Sequence, residues 1–407
     1  MSKYWLYNII PNGLEYNLLS KVIEKYYGNW IHIDRVEQKY SFNIIISNKC
    51  SEFRLIKPNT VEVCVDKASM ENIRRSIEIG RALLRQHVVW TNNTYSLFGE
   101  GFELEDYSIH PAYDIFIWRN GVETWILDSK NIVYGSNPLI QKRFGGEHLV
   151  YSGFRKVAKL IIPDSGFGFK AEQLSNEVNS NHLIDFIETN KAITTYYTII
   201  SRKFLESLGE PDHVLISFSG GKDSLVTLDL AIKHYGREMV TAVYVDTGVD
   251  FKETIEYVNE LSSKLGVNIE YVYVPVREYL SIYGYPTKTN RWCTLFKTNG
   301  FKKVLMKYKE KYRKILVLVG DRDSESLKRS RKPPVRKKQG YLEATPIKQW
   351  STIHVQLYIW LNNLPENPLY RYGFYRLGCY ICPALTSLER YIMITRLGFR
   401  ENELNPR

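Results

Sequence analysis

The 407-residue sequence has no long apolar run and no low-complexity tract. Without a run of about 18 consecutive apolar residues, it lacks the usual signal for a membrane-spanning helix. The first residues also lack a signal-peptide apolar core followed by a small-residue cleavage site. We therefore expect a cytoplasmic protein with no membrane partner and enough chain for two or three domains.

Cysteine is scarce as well, because there are only five and the number is odd. This argues against a disulfide framework and leaves metal binding or catalysis open for cysteines that cluster. Cys50 and Cys64 lie in β-like segments, and we expect them to be core residues. The net charge of +11 suits polyanionic partners, although a basic soluble enzyme would carry it equally well.

Residues 1–175 show a mixed pattern that predicts a small α+β domain. One helical segment covers 69–86, and 114–128 are expected to form a hairpin because Asn120-Gly121 supplies the positive φ angles of a tight turn. We leave open whether this domain binds RNA or substrate. The predicted strands are 42–46, 61–65 and 113–118.

A connecting helix is predicted within residues 176–210, at 182–208, and the pattern then changes. Over 211–345, continuous apolar strands alternate with amphipathic helices, which predicts an α/β domain with a doubly wound parallel sheet. Ligands of such sheets lie at the carboxyl ends of the strands. A helical C-terminal region with a Cys-x-x-Cys loop is predicted at 346–407. The strands are 214–218, 240–245, 269–274 and 315–319, and the helices are 224–235, 251–265 and 298–308.

The strand at 214–218 runs into Ser219-Gly220-Gly221-Lys222-Asp223-Ser224, which we call the glycine turn. The glycines let backbone N–H groups approach an anion, the next helix adds its dipole, and Lys222 adds a full charge. It is not the P-loop of nucleoside triphosphatases, because Ile216 stands where that motif needs its first glycine. The alternative is a plain turn with Asp223 or Ser224 as helix cap.

The glycine turn resembles the pyrophosphate loop of the PP-loop ATP pyrophosphatase superfamily. Later segments narrow the resemblance to the phosphoadenosine phosphosulfate (PAPS) reductase family. These segments are Asp246-Thr247-Gly248, Arg291-Trp292-Cys293-Thr294 with Lys297, Gly320-Asp-Arg322-Asp-Ser-Glu325-Ser326 with Arg329, Pro346-Ile-Lys-Gln-Trp350, Asn367-Pro-Leu-Tyr370 and Gly378-Cys379-Tyr-Ile-Cys382-Pro383.

The resemblance implies an adenine nucleotide, ATP or PAPS, as ligand. It implies that the glycine turn binds phosphates and that the Asp246 loop lies beside the nucleotide. Mg²⁺ would accompany ATP, and Asp223 and Asp246 carry oxygens that suit it. The nucleotide-binding candidates are Ser219, Gly220, Gly221, Lys222, Asp223, Ser224, Asp246, Thr247, Gly248, Arg291, Lys297 and Arg329. The catalytic candidates are Lys222, Asp223, Cys293 and Arg322.

Two of these assignments leave an alternative open. Asp246 could instead cap a helix, and each arginine could form a surface ion pair.

The resemblance also brings Cys293, Cys379 and Cys382 together as metal ligands. Three thiolates suit a [4Fe-4S] cluster with one open site, or a Zn²⁺ completed by another residue. Family members with a cluster supply two adjacent cysteines in the first block, where this sequence has Trp292 before Cys293. A redox-active Cys379/Cys382 dithiol is the competing interpretation.

The family's reductases attack sulfate with a cysteine of a C-terminal Glu-Cys-Gly-Leu-His motif, and this sequence has no cysteine after Cys382. The glycine turn keeps the full Ser-Gly-Gly-Lys-Asp-Ser sequence of the pyrophosphate loop, which favours ATP as the ligand. We therefore expect ATP pyrophosphatase-type activation linked to sulfur transfer, for which a sulfur-donor protein is a candidate partner. The alternatives are a PAPS or adenylyl-sulfate reductase served by a thioredoxin-like protein, and an RNA-binding tRNA-thiolation protein; homo-oligomer formation stays open.

Overall fold

The computed structural model describes residues 4–28 and 30–404. Their strands form three larger sheets that succeed one another along the chain, together with one two-stranded ribbon.

The first sheet is mainly parallel and carries two helices. Its elements are β1 (Tyr7–Asn12), α1 (Tyr16–Tyr27), β2 (Ile31–Ile33), β3 (Phe42–Ser47), β4 (Arg54–Lys57), β5 (Thr60–Cys64) and α2 (Met70–Gln86). The strand order is β2-β1-β3-β5-β4, with β4 antiparallel to β5. Helix α2 confirms the predicted segment 69–86, and its Ser69 cap accepts the Asn72 N–H at 3.2 Å.

Cys50 and Cys64 form a disulfide, so the prediction of two separate core cysteines was wrong. Their Cα atoms lie 5.4 Å apart, and both residues are half-buried. Cys64 ends β5 opposite Ser47, the last residue of the parallel strand β3, and Cys50 comes three residues after Ser47. Parallel neighbours end at the same sheet edge, which brings together two cysteines that are 14 residues apart.

The second sheet is antiparallel, in the order β12-β11-β10-β9-β8, and comes after the ribbon β6-β7. The stretch predicted as one α+β domain therefore carries two large sheets. The elements are β6 (Val89–Thr91), β7 (Thr94–Ser96), β8 (Asp114–Ile117), α3 (Trp125–Asp128), β9 (Leu139–Lys142), β10 (Glu147–Ser152), β11 (Arg155–Ile161) and β12 (Lys170–Gln173).

The hairpin predicted at 114–128 is wrong, because β8 pairs with β9 and its expected partner is the helical turn α3. The Arg119 backbone N–H donates to the Glu123 carboxylate at 2.7 Å, and the two side chains form an ion pair at 2.6 Å. Gly121 N–H donates to Thr124 Oγ1 at 2.8 Å. These local contacts close the chain into helical turns instead of a strand reversal.

Helix α4 (Leu183–Ser207) confirms the predicted segment 182–208. It connects the antiparallel sheet to the third sheet along the chain. It also contacts one residue that comes before the antiparallel sheet and one that comes after the third sheet. The side-chain carbonyl oxygen of its Asn190 accepts from Leu97 N–H at 2.8 Å, and its Ser201 Oγ donates to the Pro346 carbonyl at 2.8 Å.

The third sheet confirms the predicted α/β pattern. Its strands run in the order β15-β14-β13-β16-β18-β17, parallel except for the edge strand β17. The elements are β13 (His213–Phe218), α5 (Lys222–Tyr235), β14 (Val240–Asp246), α6 (Lys252–Leu265), β15 (Asn268–Tyr273), α7 (Val276–Tyr283), α8 (Trp292–Lys309), β16 (Ile315–Val319), α9 (Leu327–Ser330), β17 (Val335–Lys338) and β18 (Tyr341–Ala344).

The strand order of the third sheet reverses between β13 and β16. The glycine turn lies at the carboxyl end of β13, which is where sheets of this kind bind ligands. Helices α10 (Thr352–Leu361) and α11 (Ser387–Leu397) complete the C-terminal region, with the Cys379 loop between them. In the part of the chain that the structure describes, no helix is both long enough and apolar enough to span a bilayer.

Buried charges join the first sheet to the third. Arg81 on α2 donates to Asp323 Oδ2 at 2.5 Å, and both side chains are completely buried. Lys348 Nζ donates to Asp323 Oδ1 at 2.6 Å, and Tyr7 Oη donates to Asp323 Oδ2 at 2.9 Å. Burial would raise the pKa of Asp323, but Arg81 and Lys348 hold it below its ordinary value.

We predict that Arg81→Met lowers the free energy of unfolding by about 3–5 kcal/mol, since it leaves a buried carboxylate short of a partner. Arg74→Met is the matched control on the same helix, because the Glu71 partner of Arg74 is 63% exposed, and it should cost about 0–1 kcal/mol. Urea unfolding followed by circular dichroism measures both. Equal losses in the two variants would contradict a structural role for the buried pair.

Candidate nucleotide site

The backbone conformation of the glycine turn favours glycine at position 220. Gly220 has a φ of +71°, and a Cβ there would lie 2.8 Å from Thr254 Cγ2. Gly221 is the N-cap of α5, so the positive end of that helix begins at Lys222. Ser224 Oγ donates to the Gly221 carbonyl at 2.9 Å and lies 3.2 Å from Ser219 Oγ.

The C-terminal region holds this turn from outside. Tyr370 Oη accepts from the Lys222 backbone N–H at 2.8 Å, and Asn367 Nδ2 donates to the Gly220 carbonyl at 3.2 Å. The Lys222 side chain is buried, and its ammonium donates to the Tyr375 carbonyl at 3.0 Å. The Asn367-Pro-Leu-Tyr370 segment therefore contacts the glycine turn directly.

The Arg322 guanidinium lies between two carboxylates and is 2% exposed. Its Nε donates to Asp223 Oδ1 at 2.6 Å, its Nη1 to Asp114 Oδ2 at 3.2 Å and its Nη2 to Thr352 Oγ1 at 3.0 Å. Thr352 in turn donates its N–H and hydroxyl to Asp114, at 2.8 and 2.7 Å. Because Asp114 begins β8, the antiparallel sheet and the glycine turn are joined through one arginine.

Both carboxylates beside Arg322 remain ionised at neutral pH. Burial would raise the pKa of Asp223, but the Arg322 guanidinium and the Lys222 ammonium outweigh burial and hold the pKa below its ordinary value. Burial of Asp114 is likewise outweighed by Arg322 and by the Thr352 donors, so its pKa is also lowered. A buried charge of this kind persists only where its partners are fixed.

The Asp246-Thr247-Gly248 loop comes after β14, next to the glycine turn. Gly248 N–H donates to Asp246 Oδ1 at 2.8 Å, and Thr247 donates its N–H and hydroxyl to Asp250 Oδ2, at 2.9 and 2.7 Å. The N-cap of α6 is Phe251, so Asp246 shapes its own loop and does not cap that helix.

Lys297 contacts the cysteine loop. Its ammonium lies 3.6 Å from Cys379 Sγ and 3.9 Å from Asp250 Oδ1. Cys293, Cys379 and Cys382 are all buried free thiols. A hydrogen bond between Cys379 and Cys382 raises the pKa of Cys379, together with burial, and lowers the pKa of Cys382.

The predicted metal ligands do not fit a metal as they are folded. Asp223 has one oxygen on Arg322 and the other on Lys222 Nζ, at 3.1 Å. Among residues 4–28 and 30–404, no group of three or more His, Cys, Asp or Glu side chains is arranged to hold a metal ion. The arrangement does not fit a shared three-cysteine metal site, and both oxygens of Asp223 are already bound to cationic side chains, so we derive no chemical step through a metal.

The two remaining predicted arginines, Arg329 and Arg291, differ in their side-chain partners. Arg329 forms ion pairs with Asp321, at 3.3 Å, and with Glu325, and so takes the surface-pair alternative. Arg291 is the exposed N-cap of α8. Within the described ranges, its guanidinium has no hydrogen bond or ion pair.

Sequence reasoning missed two residues that support the turn. Asp114 gave no signal, because it lies about 100 positions before the turn in a stretch expected to be a hairpin. Tyr375 contacts Lys222 through its backbone carbonyl, which no side-chain pattern can indicate. Tyr370 belongs to a segment that was recognised in the sequence, but its contact with the Lys222 backbone N–H was not predicted.

Residues 213–385, which contain the turn, Arg322 and the cysteine loop, match the family model described as "Phosphoadenosine phosphosulfate reductase domain". This segment is a PAPS reductase domain. The family resemblance drawn from the sequence is thereby confirmed for this part of the chain. Asp114, Lys142 and the rest of the antiparallel sheet lie outside it.

Three relatives match parts of this chain. The Methanocaldococcus jannaschii protein MJ0066 is 38% identical over 188 residues, 43% of this chain and 37% of that protein. An adenosine 5'-phosphosulfate reductase of Chelativorans sp. is 27% identical over 40% of this chain and 66% of its own. A sulfate adenylyltransferase subunit 2 of Marinomonas sp. is 27% identical over 40% and 62%. The chain thus spans less than two thirds of each relative.

Gly220→Ala lies in this domain, and Gly209→Ala lies in the segment leading to it. The two variants form a matched pair because both glycines have a similar positive φ angle, +71° and +79°. A Cβ at Gly209 would meet nothing within 4 Å. Gly209→Ala should therefore cost only the strain of positive φ, about 1 kcal/mol. Gly220→Ala should cost more and weaken adenine-nucleotide binding about tenfold or more, because Thr254 displaces the turn. Calorimetric titration with ATP measures this, and equal affinity in both variants would contradict it.

We predict that Asp114→Asn lowers the free energy of unfolding at pH 7 by about 3–5 kcal/mol. The pKa of Asp114 is depressed in the folded protein, so its contribution is present above the ordinary pKa of about 4 and is lost as the pH falls through the lower folded-state value. The gap between the native protein and the variant should therefore narrow below pH ~4. Urea unfolding between pH 7 and 3 measures it, with exposed Asp185→Asn as control, and a constant gap would refute the assignment.

Proposed function

We propose that this protein cleaves ATP between its α- and β-phosphates and transfers the adenylyl group to an acceptor oxygen. The acceptor oxygen attacks the α-phosphorus, the bond to the bridging oxygen breaks, and its electron pair leaves with pyrophosphate. The adenylated oxygen is then a leaving group that sulfur or another nucleophile replaces. The sulfate adenylyltransferase relative carries out, by its name, an adenylyl transfer of this kind.

The observation that carries this proposal is the intact glycine turn at the switch point of the third sheet. Its helix N-terminus and the buried Lys222 ammonium place positive charge where a leaving pyrophosphate would develop negative charge. In this scheme the phosphate oxygens replace two present partners of Lys222, namely the Tyr370 hydroxyl and the Tyr375 carbonyl.

Arg322 acts in this scheme as a positioning residue. All three of its guanidinium nitrogens already donate to Asp223, Asp114 and Thr352. The guanidinium therefore orients Asp223, the residue next to Lys222, and does not need to touch the nucleotide.

The runner-up is a reductase that releases sulfite from adenylyl sulfate or PAPS; the Chelativorans relative is, by its name, an adenosine 5'-phosphosulfate reductase. The hydrogen bond between Cys379 and Cys382 favours it. One thiolate would attack the sulfate sulfur and break its bond to the phosphate, which releases the nucleotide and leaves a cysteine S-sulfonate. The other thiolate would attack the sulfur of that cysteine, expel sulfite and form a disulfide, which an external dithiol would reduce. A thioredoxin-like partner and RNA delivery by residues 1–175 remain predictions.

The test is ATP-dependent release of pyrophosphate, with inorganic sulfate and carboxylates offered as acceptors. Lys222→Met should lower kcat/KM about 100-fold or more, since it removes the cation at the leaving group. Lys233→Met, on the same helix and paired with Asp229 at 2.8 Å, should have little effect. Sulfite formed from PAPS and a dithiol, with no pyrophosphate from ATP, would overturn the proposal in favour of the reductase.

A further inference from the structure

A cavity of about 600 Å³ lies between the antiparallel sheet and the PAPS reductase domain. We call it the inter-sheet cavity. Its size is that of sites that enclose a small organic ligand. The antiparallel sheet contributes Phe116, Trp118 and Lys142, and the domain contributes Arg291, Lys328 and Arg376.

The inter-sheet cavity has an apolar floor and an open, charged rim. Phe116 and Trp118 on the floor are each only 3% exposed, whereas Phe144 and Leu327 of the lining are 51% and 43% exposed and offer apolar surface. At the rim, Asp164 is 81% exposed and Lys288 is 48% exposed. A ligand with a flat apolar body could therefore enter from solvent and keep its charged end near the rim.

The lining carries an excess of positive charge. Six lysine or arginine side chains face three carboxylates. Each carboxylate is already held: Lys288 lies 2.8 Å from Asp164, and the Arg322 N–H donates to Glu325 at 2.9 Å. Glu389 accepts from the Thr386 N–H at 2.7 Å.

Two cations of the lining lack such partners, and a third has only a long ion pair. In the described part of the chain, neither Arg291 nor Lys328 has a side-chain hydrogen bond or ion pair. Arg376 reaches Glu389 only at 3.8 Å. Unpaired cations beside an apolar surface suit the charged end of an anionic ligand, since charge-assisted hydrogen bonds to it are the strongest available.

The inter-sheet cavity adjoins the glycine turn through Tyr375. The Tyr375 hydroxyl accepts from Lys142, and its carbonyl accepts from Lys222 Nζ at 3.0 Å. A second cavity, of about 30 Å³, is lined by Lys222, Tyr375, Phe116 and Trp118. A single residue, Tyr375, thus separates the wall of the inter-sheet cavity from the proposed pyrophosphate site.

We propose that the inter-sheet cavity binds the acceptor, and that the acceptor is a small organic anion. Its apolar or aromatic body packs on the exposed lining side chains Phe144 and Leu327, and its phosphate, sulfonate or carboxylate binds Arg291, Lys328 and Arg376. The role of this anion as acceptor rests on the proposed function, whereas its binding here does not. Arg291 then serves the acceptor and not the nucleotide.

The test uses fluorine NMR of the full-length protein with three probes: 4-fluorophenyl phosphate, 4-fluorobenzenesulfonate and 4-fluorobenzoate. The neutral control is 4-fluorobenzyl alcohol. We expect at least one anion to bind about tenfold or more tightly than the alcohol, and the strongest of the three identifies the charged group. Binding should persist when a non-hydrolysable ATP analogue saturates the protein.

The matched variants are exposed lysines and arginines, whose replacement leaves the core intact. Arg291→Ala combined with Lys328→Ala should weaken anion binding about tenfold or more, and Lys302→Ala, an exposed lysine on α8, should not change it. Absence of anion binding, equal binding of the alcohol, displacement by the ATP analogue, or an unaffected double variant would each overturn the assignment. Anion binding without pyrophosphate release would refute only the proposed reaction.

Discussion

The structure depends above all on the buried Arg322 guanidinium. It joins Asp223 of the glycine turn, at 2.6 Å, to Asp114 of the antiparallel sheet, at 3.2 Å, and its charge is the largest of the influences that lower the pKa of both carboxylates. Because a guanidinium is planar and permanently charged, it also fixes the directions of its partners. The orientation of the proposed pyrophosphate loop is therefore set partly by a residue outside the family segment.

A second buried cluster repeats this arrangement between the first sheet and the third, with Arg81 and Lys348 on either side of Asp323. Arg322 and Asp323 are neighbours in sequence and face opposite ways, one toward the antiparallel sheet and the other toward α2. The short segment after β16 thus connects the PAPS reductase domain to both N-terminal sheets. Separating the PAPS reductase domain from the N-terminal sheets would leave charged side chains without their ion-pair partners on each side, which costs several kcal/mol per group.

This coupling changes how residues 1–175 are understood. The sequence left them open as an RNA- or substrate-binding module, which would require only a loose connection. The structure places Phe116, Trp118 and Lys142 in the wall of a cavity beside the glycine turn. The antiparallel sheet therefore takes part in building the cavity, and in the proposed reaction the choice of acceptor would depend on its side chains.

The sequence by itself determined the features that are local along the chain: helix α2 with its Ser69 cap, the alternation of strands and helices from β13 onward, and the glycine turn. Each depends on periodicity or on φ angles of neighbouring residues, which a short window contains. The tertiary structure alone decided the partners of Arg322, the Cys50–Cys64 disulfide, the helical turn at Trp125–Asp128, and the arrangement of the three free cysteines. These depend on which strands become neighbours and on which charges lose water together, and residues far apart in sequence share that information only after folding.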